Sequence, residues 1–225
     1  MANSKNFLTS SIGKKVTMAV TGLLLIGFII GHLSGNLLMF AGQDKINDYA
    51  AFLQSIPGPL WVARIGLLVA FVLHVVTAAQ LAREKRQARP EKYAYKNTVQ
   101  ASVASRSMGI SGSFILLFVI GHLLHFTWGV IYPEYAHMTD AQGRHDVYNM
   151  VVMGFSQPIV TIPYLIALLL LGTHLSHAIS SVFQTLGFNH PKYTPLIEKI
   201  GPALAVIITI GYIAIPLSVL VGIIS

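Results

Sequence analysis

Residues Val16 to Phe40 read VTMAVTGLLLIGFIIGHLSGNLLMF. The stretch holds no Asp, Glu, Lys or Arg, and it carries one histidine, His32. A bilayer core about 30 Å thick is crossed by roughly 20 apolar residues in helical conformation. The run therefore predicts a membrane-spanning helix with an imidazole inside it. Four more runs are long enough to span: Leu60 to Leu81, Met108 to Ile131, Ile159 to Leu186 and Pro202 to Ile224. No small-residue cleavage site follows the first run, so it reads as a span and not as a removable leader. The fold expected is an all-α integral membrane domain over residues 1–225. Helices 1–4 form a bundle, and the histidine-free fifth helix lies at its periphery.

Composition agrees with this reading. The chain is 54% hydrophobic and 10% charged, whereas a soluble domain carries about 25% charged residues. Cysteine is absent, which excludes thiolate-held iron–sulfur clusters and covalently attached c-type haem. The net charge of +7 is a topology signal and gives no reason to expect a nucleic-acid partner. Lys5, Lys14 and Lys15 precede span 1. Arg83, Lys85, Arg86, Arg89, Lys92, Lys96 and Arg106 lie between spans 2 and 3, and Lys192 and Lys199 between spans 4 and 5. By the positive-inside rule that side is cytoplasmic. The N-terminus is then cytoplasmic and the C-terminus outside, and the loop between spans 2 and 3 offers a docking surface for a cytoplasmic partner. Lys45, Arg64 and Arg144 face the other side with Asp44, Asp48, Glu134, Asp140 and Asp146. There, residues 43–54 predict a short interfacial helix ended by Ile56-Pro57-Gly58-Pro59. Trp61, Trp128, Tyr132 and Tyr135 are expected in an interfacial aromatic belt.

The chain has nine histidines. His32 lies in span 1, His74 in span 2, His122 and His125 in span 3, and His174 and His177 in span 4. Ionisable groups inside a span are costly and mark functional sites by default. A single one reads most simply as a core residue bonded to a carbonyl, but four spans each carrying one point to a shared ligand. An internal repeat sharpens the pattern. Span 1 has Thr21-Gly22 and then Ile30-Gly31-His32-Leu33; span 3 has Ser111-Gly112 and then Ile120-Gly121-His122-Leu123. Gly31 and Gly121 leave room beside each imidazole for a flat ligand.

At 1.5 Å rise per residue, His32 and His122 fall in the outer half of the membrane. His74 and His174, on oppositely directed helices, fall in the inner half. Each layer offers two imidazoles from different helices, which suits axial ligation of a haem iron from both sides. Two stacked b haems would then form an electron path across the membrane. His125 and His177 lie one turn beyond His122 and His174, and spacing leaves open whether either replaces its neighbour as ligand. His137, His145 and His190 fall in loops and are expected to be solvated. A non-haem iron enzyme using the His122/His125 and His174/His177 pairs would lack acidic partners, and a transporter would lack polar midplane contacts.

At these motifs the chain resembles the diheme cytochrome b membrane anchor of succinate:quinone oxidoreductases and quinol:fumarate reductases, in its single-chain, five-helix form. The likeness runs through Thr21-Gly22 to His32, Arg64 to His74, Ser105-Arg106-Ser107-Met108 through Gly112 to His122, His174-Leu175-Ser176, and Gln184 to Pro191. It implies that His32, His74, His122 and His174 are the four axial ligands, with His32 and His122 on the outer haem and His74 and His174 on the inner. It favours His174 over His177. It implies a bacterial cytoplasmic membrane, a cytoplasmic flavoprotein subunit that handles the dicarboxylate, an iron–sulfur subunit, and a quinone, usually menaquinone, at the outer haem. Candidate quinone or propionate contacts are Asn36, Gln43, Asp44, Asn47, Tyr49, Arg64, His125 and Trp128 outside, and Thr17, Lys92, Arg106 and His177 elsewhere. A cytochrome b of a hydrogenase or formate dehydrogenase shares the transmembrane histidines and differs in motif order. In one respect the chain departs from some relatives: the position two residues before His174 is Gly172 where they carry a glutamate. A carboxylate proton route there is not expected.

Overall fold

The computed structural model describes residues 7, 10–88, 102–188 and 190–225. Lys5, Arg89, Lys92, Lys96 and Asn189 lie outside the described residues. Among those described, five helices are long and apolar enough to cross a membrane. α1 (Ser11–Asn36) starts where the Ser10 hydroxyl accepts from the Gly13 amide at 3.0 Å, and it tightens into a 3-10 turn over Leu37–Ala41. α2 (Gln43–Ser55) is the expected interfacial helix. α3 runs from Pro57 to Gln87, α4 from Val103 to His122, α7 from Pro158 to Thr185 and α8 from Thr194 to Leu220. Proline in the first turn of α3, α7 and α8 suits positions whose N–H has no helical partner. Two short helices, α5 (Pro133–Ala136) and α6 (Val147–Phe155), sit between α4 and α7; their length hides them from a hydropathy reading.

α3 packs on α1, α4 packs on α7, and α1 and α7 join the two pairs. The contact between α7 and α8 is the most extensive in the molecule. The fifth span thus packs along α7, with a smaller contact to α1. The reason is small-residue packing, the main source of close helix contact in lipid. A Cβ on Gly172 would collide with the Thr209 side chain, and one on Gly201 with Ser180. A Cβ on Gly211 would lie 2.9 Å from Leu33 Cδ2 on α1. The Gly172 position is consumed by the α7–α8 contact. Leu33, Leu175, Ile179, Ala205 and Ile208 form the buried core that results.

The Lys14–Glu84 ion pair ties the start of α1 to the end of α3 at the basic end of the bundle. The opposite end is capped by α2, α5 and α6 over a buried cluster that includes Met39, Ile46, Phe155 and Val219. A polar network locks this cap. Asn47 is 0% exposed; its amide nitrogen donates to Asp140 and to Asp146 at 3.1 Å each, and its carbonyl accepts the Tyr148 amide. Asp146 caps α6 and also accepts from Gln43 at 3.1 Å. Arg144 bridges Asp44, Asp48 and Asp140. Gln43, Asp44 and Asn47 thus all take part in the polar network of the cap.

Burial alone would raise the Asp140 carboxyl. Hydrogen bonds from Arg144, Asn47 and the Gln142 amide outweigh it and hold the group at about 2, against an ordinary value of 3.8. Burial is likewise outweighed at Asp146, by Asn47, Asn149 and Gln43, and its carboxyl is lowered. A carboxylate lowered in the folded state stabilises it fully above the ordinary value and loses that contribution as pH falls through the folded value. The protection of amides across 137–149, relative to their intrinsic exchange rates at each pH, should therefore stay high near pH 5 and fall as pH drops toward about 2, ahead of the spans. Asn47→Ala strands two carboxylates and an amide and should lower cap stability by about 1–3 kcal/mol, read as earlier thermal release of α2.

Candidate cofactor site

The bundle brings the span histidines together in two layers. The His32 and His122 rings, from α1 and α4, lie 6.0 Å apart, edge to face. His74 of α3 and His174 of α7 are close enough to interact electrostatically. Thr21, which touches His74, precedes His32 by eleven residues on α1. Ser111, which touches His174, precedes His122 by the same number on α4. At 1.5 Å per residue the layers are about 16 Å apart along the helices.

Hydroxyls hold three of the four rings, and the direction of each hydrogen bond can be worked out. Thr21 Oγ1 donates its proton to the Thr17 carbonyl at 2.7 Å and lies 3.3 Å from His74 Nδ1. Ser111 Oγ donates to the Ser107 carbonyl at 3.1 Å and lies 3.2 Å from His174 Nδ1. The Tyr212 hydroxyl donates to the Ile29 carbonyl at 2.7 Å and lies 3.1 Å from His32 Nδ1. A hydroxyl has one proton. With that proton on a carbonyl, each contact to Nδ1 is carried by the imidazole's own N–H. At His74 and His174 this arrangement suits a proton on Nδ1 and a lone pair on Nε2, the arrangement by which metal-ligating histidines are oriented. His122 has no such hydroxyl, and its Nδ1 is buried without a partner. The Asn36 amide nitrogen donates to the His32 carbonyl at 2.7 Å and lies 3.1 and 3.3 Å from the His32 ring nitrogens. It has to turn aside for Nε2 to take a ligand.

The glycines divide between two tasks. A Cβ on Gly22 would lie 3.4 Å from His74 Cε1, and one on Gly112 3.6 Å from His174 Cε1, so these two let the imidazoles seat against the opposite helix. A Cβ on Gly31 or Gly121 meets nothing within 4 Å, leaving clear space beside His32 and His122. No group of three or more His, Asp or Glu side chains converges as a metal cage among the described residues. Each layer instead supplies two neutral nitrogen donors between apolar helices. That donor set would suit a haem iron.

The other candidates separate. His125 is 3% exposed and has both nitrogens engaged, Nδ1 with the Tyr164 hydroxyl at 3.1 Å and Nε2 with the Tyr135 hydroxyl at 2.8 Å. His177 lies 3.0 Å from Ser181 on its own helix. Arg64 is exposed, 5.3 Å over the Trp61 ring, and Arg106 is exposed on the first turn of α4. Tyr49 packs against Gly35. Trp61 and Trp128 are 57% and 58% exposed, as belt residues are, but Tyr135 is 1% exposed and turned onto His125. His145 is not freely solvated, since its Nε2 contacts the Ala136 carbonyl at 2.9 Å. The hydroxyl partners escaped sequence reasoning. Thr21 and Ser111 stood in the repeat, but they serve the histidine of the neighbouring helix. Tyr212 was visible only as a polar group in an apolar span.

No family model, curated protein or solved structure matches this chain.

The chain has no cysteine, so paired cysteines can be introduced without background. A short bifunctional thiol reagent should link a His32→Cys/His122→Cys pair and a His74→Cys/His174→Cys pair. It should fail on the crossed pairs 32/174 and 74/122, which lie in different layers. Equal linking of crossed and matched pairs, read by mass spectrometry, would overturn the two-layer arrangement.

Proposed function

We propose that this chain is the membrane anchor and electron-transfer subunit of a succinate:quinone oxidoreductase or quinol:fumarate reductase. The observation that carries the reading is the pairing of span histidines in two layers, with the His32 and His122 rings 6.0 Å apart and hydroxyls of Thr21, Ser111 and Tyr212 against Nδ1 of His74, His174 and His32. In this reading His32 and His122 hold the outer of two b haems, and His74 and His174 the inner. When bound, the haems supply one-electron redox centres in series. The chain's own residues do the rest. The hydroxyls orient the imidazoles, Gly31 and Gly121 admit a flat group, and the apolar faces of α1 and α7 keep water from the layers.

The basic end faces the cytoplasm of a bacterium in this reading, with an iron–sulfur and a flavoprotein subunit docked against it and the dicarboxylate handled on the flavoprotein. The capped end faces outward, where a quinone, menaquinone for a two-haem member, is reduced or its quinol oxidised. Hydrogenase and formate dehydrogenase cytochromes share the haem chemistry, and the copurifying subunits tell them apart.

The test is a dithionite-reduced minus oxidised spectrum with haem quantified per polypeptide. Two b haems per chain are expected. His32→Ala or His122→Ala should each lose one haem and spare the other, and His74→Ala or His174→Ala should lose the converse one. Absence of haem from wild-type protein purified with its lipids and partners would sink the electron-transfer reading.

A further inference from the structure

Two cavities lie end to end on one side of the bundle, where α1 and α8 diverge over α7. Near the cap the two helices touch: Gly211 is seated against Leu33, and the Tyr212 hydroxyl donates to the Ile29 carbonyl at 2.7 Å. Toward the basic end α8 stays on α7, with Gly201 against Ser180, while a gap opens between α8 and α1. That gap is a groove of about 140 Å³, walled by Leu23, Ile26 and Ile30 of α1 and by Leu204 of α8. Ile179, Val182 and Ile208 make its floor and are 6%, 7% and 5% exposed. Every side chain that lines it is a hydrocarbon.

At the basic end lies a second space, of about 370 Å³, lined by Ile12, Lys15, Val16, Gln184 and Thr185. The two spaces share a stripe on each helix. Ile12, Val16, Leu23, Ile26 and Ile30 recur at i, i+4, i+11, i+14 and i+18, which is one face of α1. Val182 and Thr185 are a turn apart on one face of α7. Lys15 is the cation of the second space. Its neighbour Lys14 is paired with Glu84 of α3, whereas no carboxylate pairs with Lys15 among the described residues. The first turn of α1, which holds Ile12, adds the positive end of a helix dipole. The carbonyls of Phe183 and Gln184, at the negative end of α7, already accept from the Phe188 and Gly187 amides.

We infer that this side of the bundle binds one anionic phospholipid from the leaflet at the basic end, with its phosphate on Lys15 and an acyl chain in the groove between α1 and α8. The lengths agree. From Lys15 to Ile30 the helix rises about 22 Å, and half a bilayer with its headgroup region is about 20–22 Å thick. A lipid whose phosphate meets Lys15 therefore brings the end of its chain to the level of Ile30. Charge selects the headgroup: an ammonium with no carboxylate beside it attracts a net negative lipid more than a zwitterionic one. The Gln184 amide and the Thr185 hydroxyl supply donors for phosphate or ester oxygens. A groove lined only by hydrocarbon holds no water, and in a bilayer the group at hand to fill it is a lipid chain. The bound lipid joins α1, which carries His32, to α8, which carries Tyr212, where their own side chains do not meet. This site does not depend on the function proposed above.

The test uses the full chain, purified in detergent and incubated with phosphatidylglycerol and phosphatidylcholine of equal chain length, with retained lipid counted by native mass spectrometry. One phosphatidylglycerol per chain should outlast the rest. Lys15→Gln should weaken its retention relative to phosphatidylcholine by about fivefold. Lys85→Gln, which removes an exposed charge from the end of α3, should leave it unchanged. Equal losses in the two variants, or equal retention of the two lipids by the wild type, would overturn the site. A phosphatidylglycerol with a photoreactive group near the end of one acyl chain reports position. In nanodiscs its labelling should concentrate on residues 23–30 and 204–208 and fall in Leu23→Trp, where a larger ring fills the groove from a residue that is 50% exposed. Labelling spread evenly over the lipid-facing helices, or undiminished by Leu23→Trp, would overturn the site. Capture there of a photoreactive quinone that phosphatidylglycerol fails to displace would also overturn it and assign the groove to a quinone tail.

Discussion

The bilayer core offers no water, so every polar group within it must find its partner inside the protein. The arrangement of this bundle follows from that one constraint. Six imidazoles lie within the spans, and each is a group that lipid cannot satisfy. His74 and His174 rest on hydroxyls of the adjoining helix, His32 on a tyrosine of α8, and His125 between two tyrosines. The supporting hydroxyls of Thr21, Ser111 and Tyr212 are themselves bonded to helix carbonyls. These four histidines thus act as cross-links between helices, adding to the small-residue packing that brings helices together in lipid.

The same bonds do chemical work. A hydroxyl whose proton is committed to a carbonyl can only accept, and it thereby dictates which imidazole nitrogen stays free. Thr21-Gly22 and Ser111-Gly112 act as matched clamps at one depth, the hydroxyl bonding Nδ1 and the glycine admitting the ring edge. One helical stretch further, Gly31 and Gly121 keep clear space beside the second pair. α8 enters this scheme through Tyr212, and its approach depends on Gly172, Gly201 and Gly211, where a methyl group has no room. A helix without histidine therefore still shapes the site.

At the capped end, packing and polarity are combined differently. Asn47 and Arg144 gather four carboxylates, Asp146 buried and Asp44 and Asp48 exposed, into one network. That network fixes α2 and the loop 137–149 over the bundle, above the triad of Tyr135, His125 and Tyr164.

Hydropathy and charge determined five spans, the interfacial helix after residue 42, and the depth of each histidine, because helical rise is constant and the membrane has a set thickness. The internal repeat marked Thr21, Gly22, Ser111 and Gly112, but periodicity within one helix cannot tell which neighbour a residue will meet. Only the tertiary structure decided that these residues serve His74 and His174, and not the histidines of their own helices. It alone showed α8 seated on α7 and α1, His125 closed between Tyr135 and Tyr164, and the outer carboxylates gathered by Asn47 and Arg144. Those outcomes depend on side-chain contacts between segments far apart in the chain, and apolar spans that look alike in sequence differ only in which faces meet.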